Sequence, residues 1–282
     1  MQNQSHPFDH AIDLQSQGGD IFLGHTSAAY WNMVGPFGGI LAAIALKAVM
    51  QHSARLGVPV SLTVNYAAAM VQGPFEVQAR AARTNRSTQH WIIEIRQDSD
   101  GNAAQTVLTA TALTAVRRKT WGVSEIPMPD VPAPQELHGH SGMLPLEWIN
   151  RYDLRFVSGK IPQLASGSVP PLLPIDEPSL TQLWMRDQPP RPLDFCSLVA
   201  FADVFYPRIF LRRPRRVPVG TVSMTVYFHA DSSELQNCGT GFLLGQARGQ
   251  VFHDGFLDQS AQLWSEAGTL LVTSLQIMYY KE

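Results

Sequence analysis

Apolar and polar positions run along the chain in two passages of similar order. In the first, DIFLGHTSAAYWN (Asp20 to Asn32) has the pattern of one or two extended segments, and VGPFGG punctuates it. From Gly38 to about His52, GGILAAIALKAVMQH is apolar on nearly every face, which predicts a helix buried against a sheet. Gly57 and Pro59 close it. Four extended segments follow. VSLTVNYAAA ends at the Gly73-Pro74 turn; FEVQARAART alternates, with Phe75, Val77, Ala79 and Ala81 on one face. TQHWIIEIRQD ends at DSDGN, and AQTVLTATALTAVRR is rich in β-branched residues. A buried helix and four antiparallel strands predict an α+β layer, a sheet covered on one face.

From Pro127 to Pro178 the prolines become dense, which predicts an extended connection that can still pack through Leu144, Leu146, Trp148 and Ile149. The second passage then repeats the first. LTQLWMRDQ reads as a strand, LDFCSLVAFADVF as an apolar helix ended by Tyr206-Pro207, and four further extended segments run to the C-terminus. SMTVYF at Ser223 matches SLTVNY at Ser61, an offset of 223 − 61 = 162. The same offset lays Thr111, Ala112 and Leu113 on Thr273, Ser274 and Leu275. Two motifs at one offset argue for duplication. The expected fold is α+β, a double hotdog in which two antiparallel sheets each wrap a helix, joined edge to edge or packed as an internal dimer. The expected domains are 1–122, a proline-rich connection 123–178, and 179–282.

If the halves are copies, chemistry belongs where polarity breaks the symmetry. The second helix carries Asp203, whereas GGILAAIAL has no carboxylate. Gln276 stands at the offset partner of Thr114, and Thr221 opens the strand that holds SMTVYF. A carboxylate, a hydroxyl and an amide together can hold a water, the carboxylate taking its proton as a general base. Each residue also has a plain structural use: a mid-helix Asp can satisfy a backbone or arginine partner, a strand Thr is ordinary, and a Gln late in a strand can face solvent.

Composition narrows the choice little. The chain has 282 residues, 45% of them hydrophobic and 16% charged, with a net charge of −2, so nothing global points to nucleic acid. Two cysteines, Cys196 and Cys238, make neither a disulfide framework nor a zinc spacing, and a reducing, cytoplasmic setting is expected. The N-terminus lacks the pattern of a signal peptide, and the longest apolar run is interrupted by Lys47, too short to span a bilayer. No metal, no cofactor and no membrane partner is implied.

The blocks GPFGGILAAIALKA, LTQLWMR, FADVFYP, GTVSMTVYFH and SEAGTLLVTSLQ resemble the TesB-like, type II acyl-CoA thioesterases, and the resemblance covers nearly the whole chain. It implies a double-hotdog enzyme that hydrolyses an acyl-CoA to a free acid and CoA. It also implies catalytic roles for Asp203 on the second helix, Thr221 at the start of the following strand and Gln276 on the last strand. The chain departs from the family at Ser223, where an acidic residue is common, in the basic loop RIFLRRPRRVP, and in QARGQVFHDGFLDQ, which does not align cleanly. Gly38 and Gly39 either let the thioester carbonyl approach a helix N-terminus as an oxyanion site or only permit tight packing. Arg212, Arg213, Arg215 and Arg216 either meet CoA phosphates or form a solvated loop. His25 and His229 have no evident acid partner, and Trp91, Trp184 and Trp264 read as core or interface aromatics. Exposed strand edges predict a homo-oligomer. Two rivals stand beside the thioesterase. A hotdog hydratase would need a paired Asp and His in a Gly-Asp-x-Asn-Pro-like segment, which is missing; the other rival is a non-catalytic acyl-ligand binding protein of the same fold.

Overall fold

A computed structural model describes residues 5–98, 103–139, 146–160, 178–213 and 216–281. The first half holds helix α1 (Pro7–Ala11), strands β1 (Gln15–Gly18) and β2 (Ile21–His25), helix α2 (Gly38–Gln51), and strands β3 (Val58–Tyr66), β4 (Pro74–Thr84), β5 (Thr88–Gln97) and β6 (Gln105–Ala115). The second half holds β7 (Tyr152–Ser158), β8 (Thr181–Asp187), helices α3 (Phe195–Phe201) and α4 (Ile209–Arg212), β9 (Val219–Phe228), helix α5 (Ser232–Cys238), and strands β10 (Leu243–Arg248), β11 (Phe252–His253), β12 (Phe256–Ser265) and β13 (Leu270–Tyr280).

The thirteen strands among the described residues form one sheet, in the order β1-β2-β4-β5-β6-β3-β9-β13-β12-β10-β8-β7, with β11 off the path beside β12. The order reads the same from either end, with β3 and β9 as the seam. There the pairing is antiparallel and two-fold: Ser61 faces Tyr227, Thr63 faces Thr225, and Asn65 faces Ser223. The hydroxyls of Thr63 and Thr225 meet at 3.0 Å on the pseudo-axis, and these two residues are 162 apart. The two halves are therefore joined edge to edge, which buries the strand edge each would otherwise expose.

The offset of 162 holds at the seam but not at the last strand. Leu62 pairs with Ala112, whereas its copy Met224 pairs with Gln276, so the structural counterpart of Gln276 is Ala112 and not Thr114. Thr114 corresponds instead to Met278, because these pair with Pro59 and Thr221, which are themselves 162 apart. The slip is two residues. Side chains alternate with period two, so a two-residue slip keeps every inward residue inward, and a sequence match cannot detect it.

The inner sheet face is apolar and receives both helices. α2 buries ten of its residues, from Gly39 to Val49, as its all-round apolar pattern requires. α2 and α3 pack on each other and share one core with inward residues of both halves, among them Val64, Ile93, Met224 and Val272. Gly57, after α2, has φ +72°, and a Cβ there would collide with the carbonyl oxygen of Ala115; only glycine fits.

The proline-rich stretch contributes more than a tether. Its residues 152–158 form β7, an edge strand paired with β8. Met128, Val131 and Leu137 pack on Trp184, Phe242, Leu244 and Trp264, a cluster outside the main core, and Trp184 Nε1 donates to the Pro132 carbonyl at 2.9 Å. Trp184→Ala removes this anchor. Thermal denaturation should show a loss of about 3–5 kcal/mol, and limited proteolysis should cut within 116–137 sooner than in the wild type. Residues 140–145, Leu144 among them, and 161–177, also part of the expected connection, lie outside the described residues.

Candidate active site

α3 begins on a capping box: Asp194 Oδ1 accepts from the Ser197 N–H at 2.8 Å, and Ser197 Oγ accepts from the Asp194 N–H at 3.0 Å. All seven residues of the helix are buried. The sequence reading placed Asp203 within this helix; the structure ends the helix at Phe201, and Asp203 follows in a tightened turn, its N–H donating to the Ala200 carbonyl. Pro207 has no N–H to give the Asp203 carbonyl, so the helix cannot run on past this turn.

Asp203 is 8% exposed and sits on the N-terminus of α2. A Cβ on Gly38 would lie 2.7 Å from Asp203 Oδ2, so the carboxylate occupies the place a side chain would take. The Gly39 N–H bonds to it. From the sheet, Gln276 Nε2 donates to Asp203 Oδ1 at 3.0 Å and to the Ala202 carbonyl at 3.3 Å. Both partners accept only, which orients the amide. Among the described residues no cation pairs with Asp203. Burial therefore dominates and pushes its pKa up to about 7, against the pull of Gln276 and Gly39. A carboxyl that ionises near neutrality suits general-base work.

Thr221 reaches the same face through a bulge. Ser223 pairs with Ile277 and Thr221 with Met278, so Val222 is the extra residue and Thr221 stands opposite inward-facing Met278. The first half has a bulge at the same place, between Pro59 and Ser61, and offers Pro59 where the second offers Thr221. The structure thus brings Asp203, Gln276, Gly38 and Gly39 into contact. It sets Thr221 on their side of the sheet, without a hydrogen bond to Asp203 or Gln276.

Two features escaped the sequence reading. Tyr66, at the end of β3, donates to the Gly38 carbonyl at 3.0 Å and ties the first turn of α2 to the seam strand; burial, then the charge of Asp203, keeps its hydroxyl protonated. Phe37, which caps α2, stacks on Trp148 with centroids 4.3 Å apart, and Tyr152 lies edge-on to both. The proline-rich stretch therefore walls the helix N-terminus with aromatics. The two histidines are elsewhere: His25 meets the Thr26 carbonyl, and His229 meets Thr273 Oγ1. Arg212 ends α4, and Arg215 lies outside the described residues. Two surface cavities, of 310 and 340 Å³, are lined by residues around His25 and around Glu266, away from Asp203.

Gly38→Ala tests the packing of the carboxylate. The new methyl would have to displace Asp203, so a folded variant should lose at least about tenfold in any activity that depends on it, a loss that Gly122→Ala, in open space and without a positive φ, should not cause.

The chain as a whole is similar to known proteins. No curated protein matches the chain. A solved protein of unknown function with a hot dog fold, from Alicyclobacillus acidocaldarius, is 43% identical over 99% of both chains, with a TM-score of 0.89. An acyl-CoA thioesterase II, TesB2, from Mycobacterium marinum shares the fold at 16% identity, covering 97% of this chain and 98% of its own, with a TM-score of 0.73. A tesB protein from Mycobacterium avium subs paratuberculosis does so at 18% identity over 99% and 100%, with a TM-score of 0.75. No helix among the described residues is long and apolar enough to cross a membrane. The acyl-CoA thioesterase N-terminal domain model matches residues 27–115 and the C-terminal domain model residues 126–280, each on its own half of the palindromic sheet, and the chain belongs to the acyl-CoA thioesterase family with its double-hotdog fold.

Proposed function

We propose that the protein hydrolyses an acyl-CoA thioester to the free acid and CoA, with Asp203 as general base. The observation that carries this reading is a buried carboxylate, pushed up to about 7, held by an amide on one side and a helix N-terminus on the other, with no cation among the described residues to neutralise it. Water attacks the thioester carbonyl as Asp203 takes its proton; the C–O bond forms, the C–S bond breaks, and the proton passes to the CoA sulfur. Gln276 and Thr221 orient the water from the inner sheet face. The N–H groups at Gly38 and Gly39 are assigned to the developing oxyanion as well as to the carboxylate, because the first turn of α2 points its unpaired donors there.

The pH dependence is a direct test. The carboxyl must be ionised to accept a proton, so kcat/KM should rise with pH through a single ionisation at about 7 and then level off. Thiol release from a panel of acyl-CoAs, short to long and aromatic, measures it. A rate already flat well below neutrality would remove Asp203 from the role, and no hydrolysis of any acyl-CoA by folded protein would favour the acyl-binding reading instead.

We also propose self-association and a reducing, cytoplasmic setting. Tyr227, Leu275 and Ile277, 46%, 52% and 43% exposed on the outer face of the central strands, support burial against a second copy, and Cys196 and Cys238 are both free. Sedimentation should give a species of at least two chains.

A further inference from the structure

The row of side chains that holds Gln276 has a counterpart in the first half, and the two are made of different chemistry. Met224, Gln276 and Gln259 stand opposite one another across β9, β13 and β12. Leu62, Ala112 and Trp91 hold the same places across β3, β6 and β5. The first row is apolar, and its one polar atom is satisfied: Trp91 Nε1 donates to Thr114 Oγ1 at 3.1 Å. The second row has two amides in place of an alanine and a tryptophan, and a glutamine fills less space than the indole it replaces.

Three of the four polar atoms of these amides have no protein partner. Gln259 is 0% exposed, and neither its Nε2 nor its Oε1 has a hydrogen-bond partner. Gln276, 2% exposed, spends its Nε2 on Asp203 and Ala202 and leaves Oε1 without one. One step along β13, Ser274 Oγ is buried and unpartnered too, where the first half has Ala110. A fold that builds this region from Ala110, Ala112 and Trp91 in one half does not need three orphaned polar groups in the other. Residues opposite each other in a ladder have Cβ atoms about 5 Å apart, so Gln259 is beside Gln276 and within one side chain of Asp203.

The pattern of donors and acceptors selects what fits. Gln276 Oε1 only accepts, Gln259 offers one acceptor and two N–H donors, and the Ser274 hydroxyl does either. The complementary group must donate and accept and must be neutral. A carboxylate only accepts and would face Gln276 Oε1 and Asp203; an alkyl chain would leave every group unpaired. We propose that Gln259, Gln276 Oε1 and Ser274 form a subsite for one hydroxyl group beside Asp203, filled by a fixed water or by a hydroxyl substituent on the acyl chain. The second source rests on the thioesterase reading; the first does not. A filled subsite also fixes the Gln276 amide and so positions it over the carboxylate.

The test compares wild type with Gln259→Met on a plain acyl-CoA and a hydroxylated acyl-CoA of equal length. If the substrate supplies the hydroxyl, wild type favours the hydroxylated acyl-CoA by at least about tenfold in kcat/KM, and Gln259→Met brings that ratio to about one. If water supplies it, wild type shows no preference, and Gln259→Met lowers kcat on both substrates and displaces the ionisation in the pH profile. A folded Gln259→Met that matches wild type in ratio, kcat and pH profile overturns the proposal. Ser274→Ala, the first-half residue type, serves if Gln259→Met does not fold. Should folded wild type hydrolyse neither substrate, the thioesterase reading falls and the subsite is judged by crystallography: a water bonded to Gln259 Nε2 and Gln276 Oε1 keeps it, and a dry amide pair overturns it.

Discussion

Asp203→Asn should lower kcat for acyl-CoA hydrolysis at least a hundredfold, about 3 kcal/mol of transition-state stabilisation, while the protein stays folded. The substitution is nearly isosteric. The asparagine oxygen can still accept from Gln276 Nε2, which now donates at 3.0 Å. The asparagine amide takes no proton from water, so the general base is gone while the water's surroundings are nearly kept. Its NH2 would also face the Gly39 N–H, donor against donor, where the carboxylate now accepts. The variant's residual rate should lose its dependence on an ionisation near neutrality, a readout that a merely structural Asp203 would not move. Thiol release by the folded variant at more than a tenth of the wild-type rate would leave the family membership intact and remove the assigned base.

Much of this was legible in the sequence, for reasons that differ by element. α2 was readable because an apolar run of its length has nowhere to go but a protein interior, and Gly57, in the turn before β3, takes a positive φ and a close approach to Ala115 that suit only glycine there. The duplication was readable at the seam because Thr63 and Thr225 sit on the two-fold and neighbour each other's copies. It misled at β6 and β13, where a two-residue slip preserves the faces and β-rich stretches resemble one another at either alignment; only the ladder shows that Gln276 replaces Ala112. The position of Asp203 was found by asymmetry, but its setting was not. That it lies just beyond the helix carried no signal in the apolar run LVAFADVF, and that it meets Gly38 depends on two helices from distant parts of the chain packing together. Gln259 carried a local signal that went unread. In FLDQSAQLW the inward set is Leu257, Gln259, Ala261 and Leu263, and a glutamine in an otherwise apolar set marks a polar site inside a core. Proline density in 123–178 spoke for a tether, and the aromatic wall of Trp148 and Tyr152 that it carries is a tertiary outcome.

The site should also cost the fold stability, and the cost should depend on pH. Asp203 has an ordinary value of 3.8 and a folded value of about 7, chiefly from burial. Between those values the folded chain keeps a proton that the unfolded chain has released. Stability changes with pH in proportion to the protons held by the unfolded state minus those held by the folded state, so here it falls as pH rises through the window. Below the window both states are protonated and nothing is lost; above it the full penalty is present, about 4 kcal/mol on a shift of this size. Asp187, 2% exposed, is also pushed up to about 7, by burial first, with Arg191 pulling it down and Asp194 and Asp9 adding to the rise. It lies opposite Tyr152 across β7 and β8, outside the proposed chemistry, and doubles the expected dependence. Denaturant melts at acid and alkaline pH should therefore show wild type weakest on the alkaline side, and Asp203→Asn and Asp187→Asn each more stable there than wild type. An Asp203→Asn variant less stable than wild type at alkaline pH would mean that the carboxylate is well satisfied in the fold, and so a poor base. A variant that gains stability there and loses hydrolysis would show that this protein gives up folding free energy to keep an unpaired carboxylate ready for water.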